Sequence, residues 1–343
     1  MKKTKQLLFF VSAIITTLLF ASCEKDNDKA IVLPPIDTTM SSIQVSMGVN
    51  YDTMIFVNLV TGDTKYSAIK SYDLAFEASP QGQYIYLNTG KYMFAWRSAS
   101  TDLANTDTTG LVWATDADTW LGDSTAFGKN QDASGNCNNT VVVIDRGKYN
   151  HFGSDRYRKL QIVSISNSEY VIRYSKLDNS DYHEFTVPKD DTYSLMYFSF
   201  SNGGTMVSLA PPKDQWDIVF TRYIHTYWEE TLQFRFYLVN GTMTNRWNET
   251  SCAILKKDSV PGYKPFDVFN HNDIPNFPFY ADADIMGFNW KDFDFNTNMY
   301  YIVPDLFYVI KNHNGEYYKL KYYDFYNAQG LRGCPAFQYQ RIL

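Results

Sequence analysis

The chain has 343 residues, of which 45% are apolar and 17% aromatic, and its formal net charge is −6. That size and apolar content are enough to bury a substantial core. The acidic balance, with no basic cluster anywhere, excludes a nucleic-acid partner.

In chain order, the first element is a leader. Lys2, Lys3 and Lys5 precede an apolar run from Leu7 to Phe20 that is short for a bilayer span. Leu-Phe-Ala-Ser-Cys follows and resembles a bacterial lipobox, which makes residues 1–22 a lipoprotein signal peptide and Cys23 the lipidated residue. Such a protein is held on a membrane by lipid, with no transmembrane helix. Removing residues 1–22 takes three lysines and no acid, so the charge of −6 becomes −9. Residues 23–42 are polar and then Pro-containing and read as a tether. The acids directly after Cys23 resemble the surface-export signal of Bacteroidota lipoproteins.

From there on, Gly, Asn and Asp separate short stretches rich in Tyr, Phe, Val, Ile and Thr. TVVVIDRG, KLQIVSIS, YSLMYFSFS, WDIVFTRYIH, TLQFRFYLV, LFYVIK and YYKLKYYDF are strands by composition and length. No capped amphipathic helix interrupts them, so the fold class is all-β. LFYVIK, Asn314-Gly315 and EYYKLKYYDFY predict a hairpin with a two-residue turn. Along its return strand Tyr318, Leu320 and Tyr322 share a core face, while Lys319 and Lys321 face water.

The chain also echoes itself. KLQIVSISNSEYVIRYS (Lys159 to Ser175) resembles the Asn314-Gly315 hairpin. NYDTMIFVNLVTGDT followed by SYDLAFEA resembles DTYSLMYFSFSNGGT followed by QWDIVFTRY, so that Tyr72-Asp73 corresponds to Trp216-Asp217. Two markers in the same order predict a tandem duplication. The expected domains are residues 43–189 and 190–343, with the boundary near Pro188.

The second copy resembles the HmuY family of haem-binding lipoproteins from Bacteroidota. The resemblance is carried by YFSFSNGG, WDIVFTRY, LFYVIKNHNGEYYKLKYYDFYNAQ and AFQYQ, in that order, over residues 190–343. It implies a compact all-β domain and an outer-membrane lipoprotein on the cell surface that carries haem to a TonB-dependent receptor. It also implies two axial iron ligands on loops, one in about 251–276 and one in the stretch Asn289 to Tyr301. His271 is the sole histidine of the first region, and the second has none. The expected ligands are therefore His271 and the thioether of Met299, with Met286 as substitute. Trp290 and Phe293, among several phenylalanines, would line the slot. His225 reads as half-buried in a sheet.

Cys137, Cys252 and Cys334 remain after Cys23, enough for one disulfide at most. No CxxC is present, which argues against a zinc site. GxSxG, HExxH and P-loop motifs are missing as well, so the chain is expected not to be an enzyme. Asp282, Asp284, Asp292 and Asp294, like the acids of DADTWLGD (Asp116 to Asp123), break the EF-hand spacing and read as solvated loop carboxylates. Binding and uptake of haem or a related porphyrin is the leading function. Two others stay open: a surface glycan-binding lipoprotein using Trp113, Trp120, Trp228 and Trp247 as sugar platforms, and a HmuY-like scaffold that has lost haem binding.

Overall fold

The computed structural model describes residues 38–149, 151–229 and 233–343. The signal segment, Cys23 and most of the tether lie outside them. Short runs of alternating β-branched and aromatic residues form twenty strands, and the helices among the described residues are 3-10 turns. Copy one supplies β1 (Ser41–Gln44), β2 (Thr53–Val57), β3 (Thr64–Ala68), β4 (Leu74–Glu77), β5 (Ile85–Leu87), β6 (Phe94–Arg97), β7 (Val141–Asp145), β8 (Tyr157–Ile165) and β9 (Glu169–Ser175). Copy two supplies β10 (His183–Pro188), β11 (Leu195–Ser199), β12 (Thr205–Val207), β13 (Ile218–Glu229), β14 (Gln233–Thr244) and β15 (Ser251–Lys256). It then continues through β18 (Leu306–Lys311), β19 (Tyr317–Tyr326) and β20 (Arg332–Ile342). A hairpin of β16 (Lys291–Asp294) and β17 (Met299–Ile302) is additional to the second copy.

Sheet order makes the duplication explicit. One five-stranded sheet runs β6-β7-β8-β9-β10 and the other β15-β18-β19-β20-β1; the four-stranded sheets run β12-β11-β4-β5 and β3-β2-β13-β14. Each order becomes its partner when copy one is renumbered as copy two. Every one of these sheets contains strands of both copies, so the copies exchange strands and Thr38–Leu343 pack as one unit. By this order the copies divide between β9 and β10, ahead of the boundary expected at 189/190.

Alternation explains the layering. In β2, Ile55 and Val57 enter a core shared with the β15-β18-β19-β20-β1 sheet, while Met54 and Phe56 enter the core between the two four-stranded sheets. In β4, Leu74 and Phe76 face the β6–β10 sheet and Ala75 the central core. The inner strands are therefore apolar on both faces, and each large side chain so buried stabilises the fold by about 1.5–3 kcal/mol.

The aromatic-Asp marker has the same task in both copies. The Asp73 N–H donates to the Phe198 carbonyl (2.8 Å) and the Asp217 N–H to that of Val57 (2.9 Å). Their carboxylates accept the N–H groups of Phe200 (2.9 Å) and Leu59 (2.7 Å). Asn88 and Asn245 donate from Nδ2 to the carbonyls of Tyr72 (2.9 Å) and Trp216 (3.0 Å). These buried bonds pin each strand crossing, because an unpartnered polar group there is costly.

Two expectations change. The β18–β19 hairpin forms, but its turn is Asn312–Glu316 rather than two residues, with Gly315 alone at positive φ (76°). Asn312 Oδ1 accepts the N–H groups of Asn314 (3.0 Å) and Glu316 (2.9 Å), and this local bonding favours the longer turn. The hairpin equivalent to β8–β9 is also not β18–β19 but β19–β20. Lys159 of β8 and Lys319 of β19 occupy matching places, each buried and each donating to loop carbonyls.

Candidate functional site

Lys319 is the first clue to the site. It shares a strand face with Lys321, yet it is only 4% exposed. Its Nζ donates to the carbonyls of Phe266 (2.8 Å) and Phe269 (3.1 Å), so the outer face of this sheet is covered by the β15–β18 connection rather than by water. That loop is itself braced: Asn270 and Asp273 form a capping box on the turn His271–Asn276, and Lys264 Nζ bonds Asp273 Oδ1 (2.5 Å). Phe266, Phe269, Phe277 and Phe307 pack beneath it.

Between the two limbs of the connection lies a cleft of about 410 Å³. Tyr263, Pro265, Phe266 and Asp267 form one wall, Ile302 to Phe307 the other, and Lys321 to Tyr323 the floor. The Phe266 and Phe307 rings meet edge to face at 5.5 Å. Lys321 Nζ lies 4.6 Å from the centre of the Phe266 ring and 3.9 Å from Asp267 Oδ1. Tyr323 is 52% exposed. Burial, then the charge of Asp305, raises the Tyr263 phenol above its ordinary range. The rings of Tyr263, Phe266, Phe307 and Tyr323 offer faces to a flat ligand, and Lys321, now beside Asp267, is the cation among lining groups that also include Asp305. The cleft lies between the two loop regions in which ligands were expected, but neither His271 nor Met299 lines it.

The expected ligand pair is not brought together. The exposed His271 meets Tyr317 edge to face at 5.8 Å, at the start of β19. Met299, 51% exposed, precedes Tyr300, whose N–H donates to Tyr326 Oη (2.7 Å) at the end of that strand. Nine residue steps of β-strand span roughly 30 Å, whereas two donors on one metal ion lie within about 4 Å of each other. Met286 is buried in the core with Trp290, Tyr308 and Tyr322, and Trp290 stacks on Tyr322 at 4.0 Å. Phe293 packs on Phe295 and Tyr300. Met286 and Trp290 are each 1% exposed in one core, and neither lines the cleft. Cys137, Cys252 and Cys334 are free thiols.

Other expectations shift for the same reason, tertiary cover. Asp116 is not solvated: it is 2% exposed, accepts the N–H groups of Leu87 (2.6 Å) and Ala126 (2.7 Å), and burial pushes it up to about 7. Trp120 stacks on Trp247 (5.0 Å) and Trp113 on Tyr157 (6.2 Å), so these rings are half-buried against one another. The Trp228 side chain lies outside the described residues. Sequence reading missed Tyr263, Phe266, Lys321 and Tyr323; the lone signal for them was the Lys-x-Lys alternation of β19.

Comparison with known proteins follows this geometry. No curated protein matches the chain. Among solved structures it is similar to apo PinO from Porphyromonas gingivitis at 12% identity, with a TM-score of 0.33, covering 89% of this chain and 100% of that one. It is also similar to the apo HmuY analogue TFO from Tannerella forsythia at 11% identity, with a TM-score of 0.26, covering 90% and 97%. A family description, HmuY protein, matches residues 191–339. That segment runs from just before β11 into β20 and contains the whole cleft, so the C-terminal half of this chain carries the HmuY family pattern.

Proposed function

We propose that this chain is a non-catalytic lipoprotein of the outer membrane, anchored through Cys23, whose C-terminal half binds haem or a related porphyrin for uptake. The observation behind this reading is the aromatic cleft of about 410 Å³, bearing Lys321, inside the segment matched to the HmuY family. The rings of Tyr263, Phe266 and Tyr323 offer faces for a macrocycle, and Lys321 offers a partner for a propionate. With no histidine or methionine in its lining, the cleft holds the ring system rather than the iron. A TonB-dependent receptor is the expected acceptor, as the family resemblance implies.

The test is to titrate the full chain with hemin and with metal-free protoporphyrin IX and follow the Soret band. Both are expected to bind saturably with similar affinity. Phe266→Ala should weaken both about tenfold, while His271→Ala and Met299→Ala leave the spectra unchanged. No saturable shift with either porphyrin would reject the reading in favour of a HmuY-like scaffold without haem binding. That second reading is motivated by the separation of His271 from Met299 along β19.

A further inference from the structure

A second constellation lies where the two copies meet. Asp118, in the β6–β7 connection of copy one, faces His225 on β13 and Asp284 in the turn Ala283–Ile285, both of copy two. One potential metal-ligating atom from each lies within 4.8 Å of the others. His225 Nδ1 is hydrogen-bonded to Asp118 Oδ2. The imidazole is fixed between the rings of Tyr227 (4.6 Å) and Phe288 (5.0 Å). The two loops are tied to each other: the Ala283 N–H donates to the Thr119 carbonyl (3.1 Å), and Arg246 Nη1 donates to that of Trp120 (2.5 Å). The backbones of Gly241 and Gly287 lie so close that a Cβ on Gly241 would sit 2.4 Å from the Gly287 carbonyl oxygen, which fixes the turn carrying Asp284.

His225 is the basic side chain that faces the two carboxylates. Among the described residues, neither Asp118 nor Asp284 is ion-paired with a lysine or arginine. Independently, the Tyr223 hydroxyl is without a hydrogen-bond partner although the residue is 1% exposed, and Asp284 and Asp118 are the charges that weigh most on it. The Thr119 hydroxyl, beside Asp118, is buried and unpartnered as well. A buried hydroxyl without a partner calls for an explanation, which a ligand held by these carboxylates supplies.

We propose that Asp118, His225 and Asp284 form a divalent-metal site of the zinc class that fastens copy one to copy two. One imidazole and two carboxylates are borderline donors that suit zinc over calcium or magnesium, and three protein ligands leave one position for water. With metal–ligand distances of about 2 Å the donors stand roughly 3 Å apart, so Asp118 and His225 exchange their direct hydrogen bond for bonds to the metal while Asp284 closes on them.

The experiment uses the full chain stripped with chelator and titrated with ZnCl2 by calorimetry, with CaCl2 and MgCl2 in parallel. One Zn2+ per chain is expected, with a rise in Tm, and no competition from millimolar Ca2+ or Mg2+. His225→Gln and Asp284→Asn, each checked for an unchanged circular dichroism spectrum, should weaken Zn2+ by tenfold or more. A measurement without variants is diethyl pyrocarbonate labelling of the wild type, read by mass spectrometry: Zn2+ should protect His225. Absence of stoichiometric Zn2+ binding, equal binding in both folded variants, preferential Ca2+ binding, or unprotected His225 would each overturn the proposal.

Discussion

The two copies place an aspartate at the same strand crossing and then treat it in opposite ways. Asp73 is buried with two cations: Lys91 bonds it directly, and Arg146 approaches at 3.0 Å. Burial alone would raise its pKa, but Lys91 and then Arg146 outweigh burial and hold the carboxyl well below the usual range. Asp217 makes the equivalent backbone bonds with no lysine or arginine paired to it among the described residues, and burial pushes it up to about 6. The backbone geometry therefore does not need the ion cluster. Copy one added charge to a crossing that copy two holds with hydrogen bonds alone.

At a fixed pH the largest effect should come from breaking that asymmetry. Asp73→Asn removes the carboxylate that Lys91 and Arg146 share, leaving Arg146 its ion pair with Asp155, and should cost about 3 kcal/mol in urea unfolding. Asp217→Asn should cost under about 1 kcal/mol near neutral pH. Equal losses would show that the two crossings are alike in energy as well as in geometry.

The pH dependence follows. Asp217 and Asp116, at about 6 and about 7, titrate above their unfolded values, so the folded state binds protons more tightly. Their contribution is complete below the unfolded pKa of about 4 and is lost as pH rises through the folded values, by up to about 3 kcal/mol for Asp217 and about 4 kcal/mol for Asp116. Asp73 has the opposite sign, contributing above about pH 4 and losing its effect on acidification. Stability curves of Asp217→Asn and Asp116→Asn should therefore be flatter between pH 4 and 7 than that of the wild type. An unchanged slope in both would refute the assignment.

The smallest effect tests the equivalence of the lysines. Lys159→Met and Lys319→Met each strand loop carbonyls that an ammonium now satisfies, and each should cost about 2 kcal/mol. Lys319→Met should also expose the loop of residues 257–276 to limited proteolysis. A loss confined to one lysine would mean that the loops of the two copies are held differently.

Much of the fold was legible in residue order. Strand-length aromatic runs gave an all-β chain, and Tyr72-Asp73 with Trp216-Asp217 disclosed the duplication, because both markers are local in sequence. The site was far less legible. Lys319 reads as a solvent-facing residue by alternation and becomes buried only because a loop fifty residues upstream crosses it. His271 and Met299 are 28 positions apart in the chain, yet β19 separates them in space. Asp284 reads as one carboxylate among four on a loop, until a histidine and an aspartate from distant elements reach it.

Sequence by itself determined what short-range physics controls: strand period, the presence of a hairpin, and the repeat. Tertiary structure alone decided which strands pair across some 140 residues, which lysines are buried, and which donors converge. Periodicity says which way a side chain points from its own strand. It does not say what arrives from elsewhere in the chain to meet it, and in this protein both the cleft and the Asp118–His225–Asp284 triad are built from such arrivals.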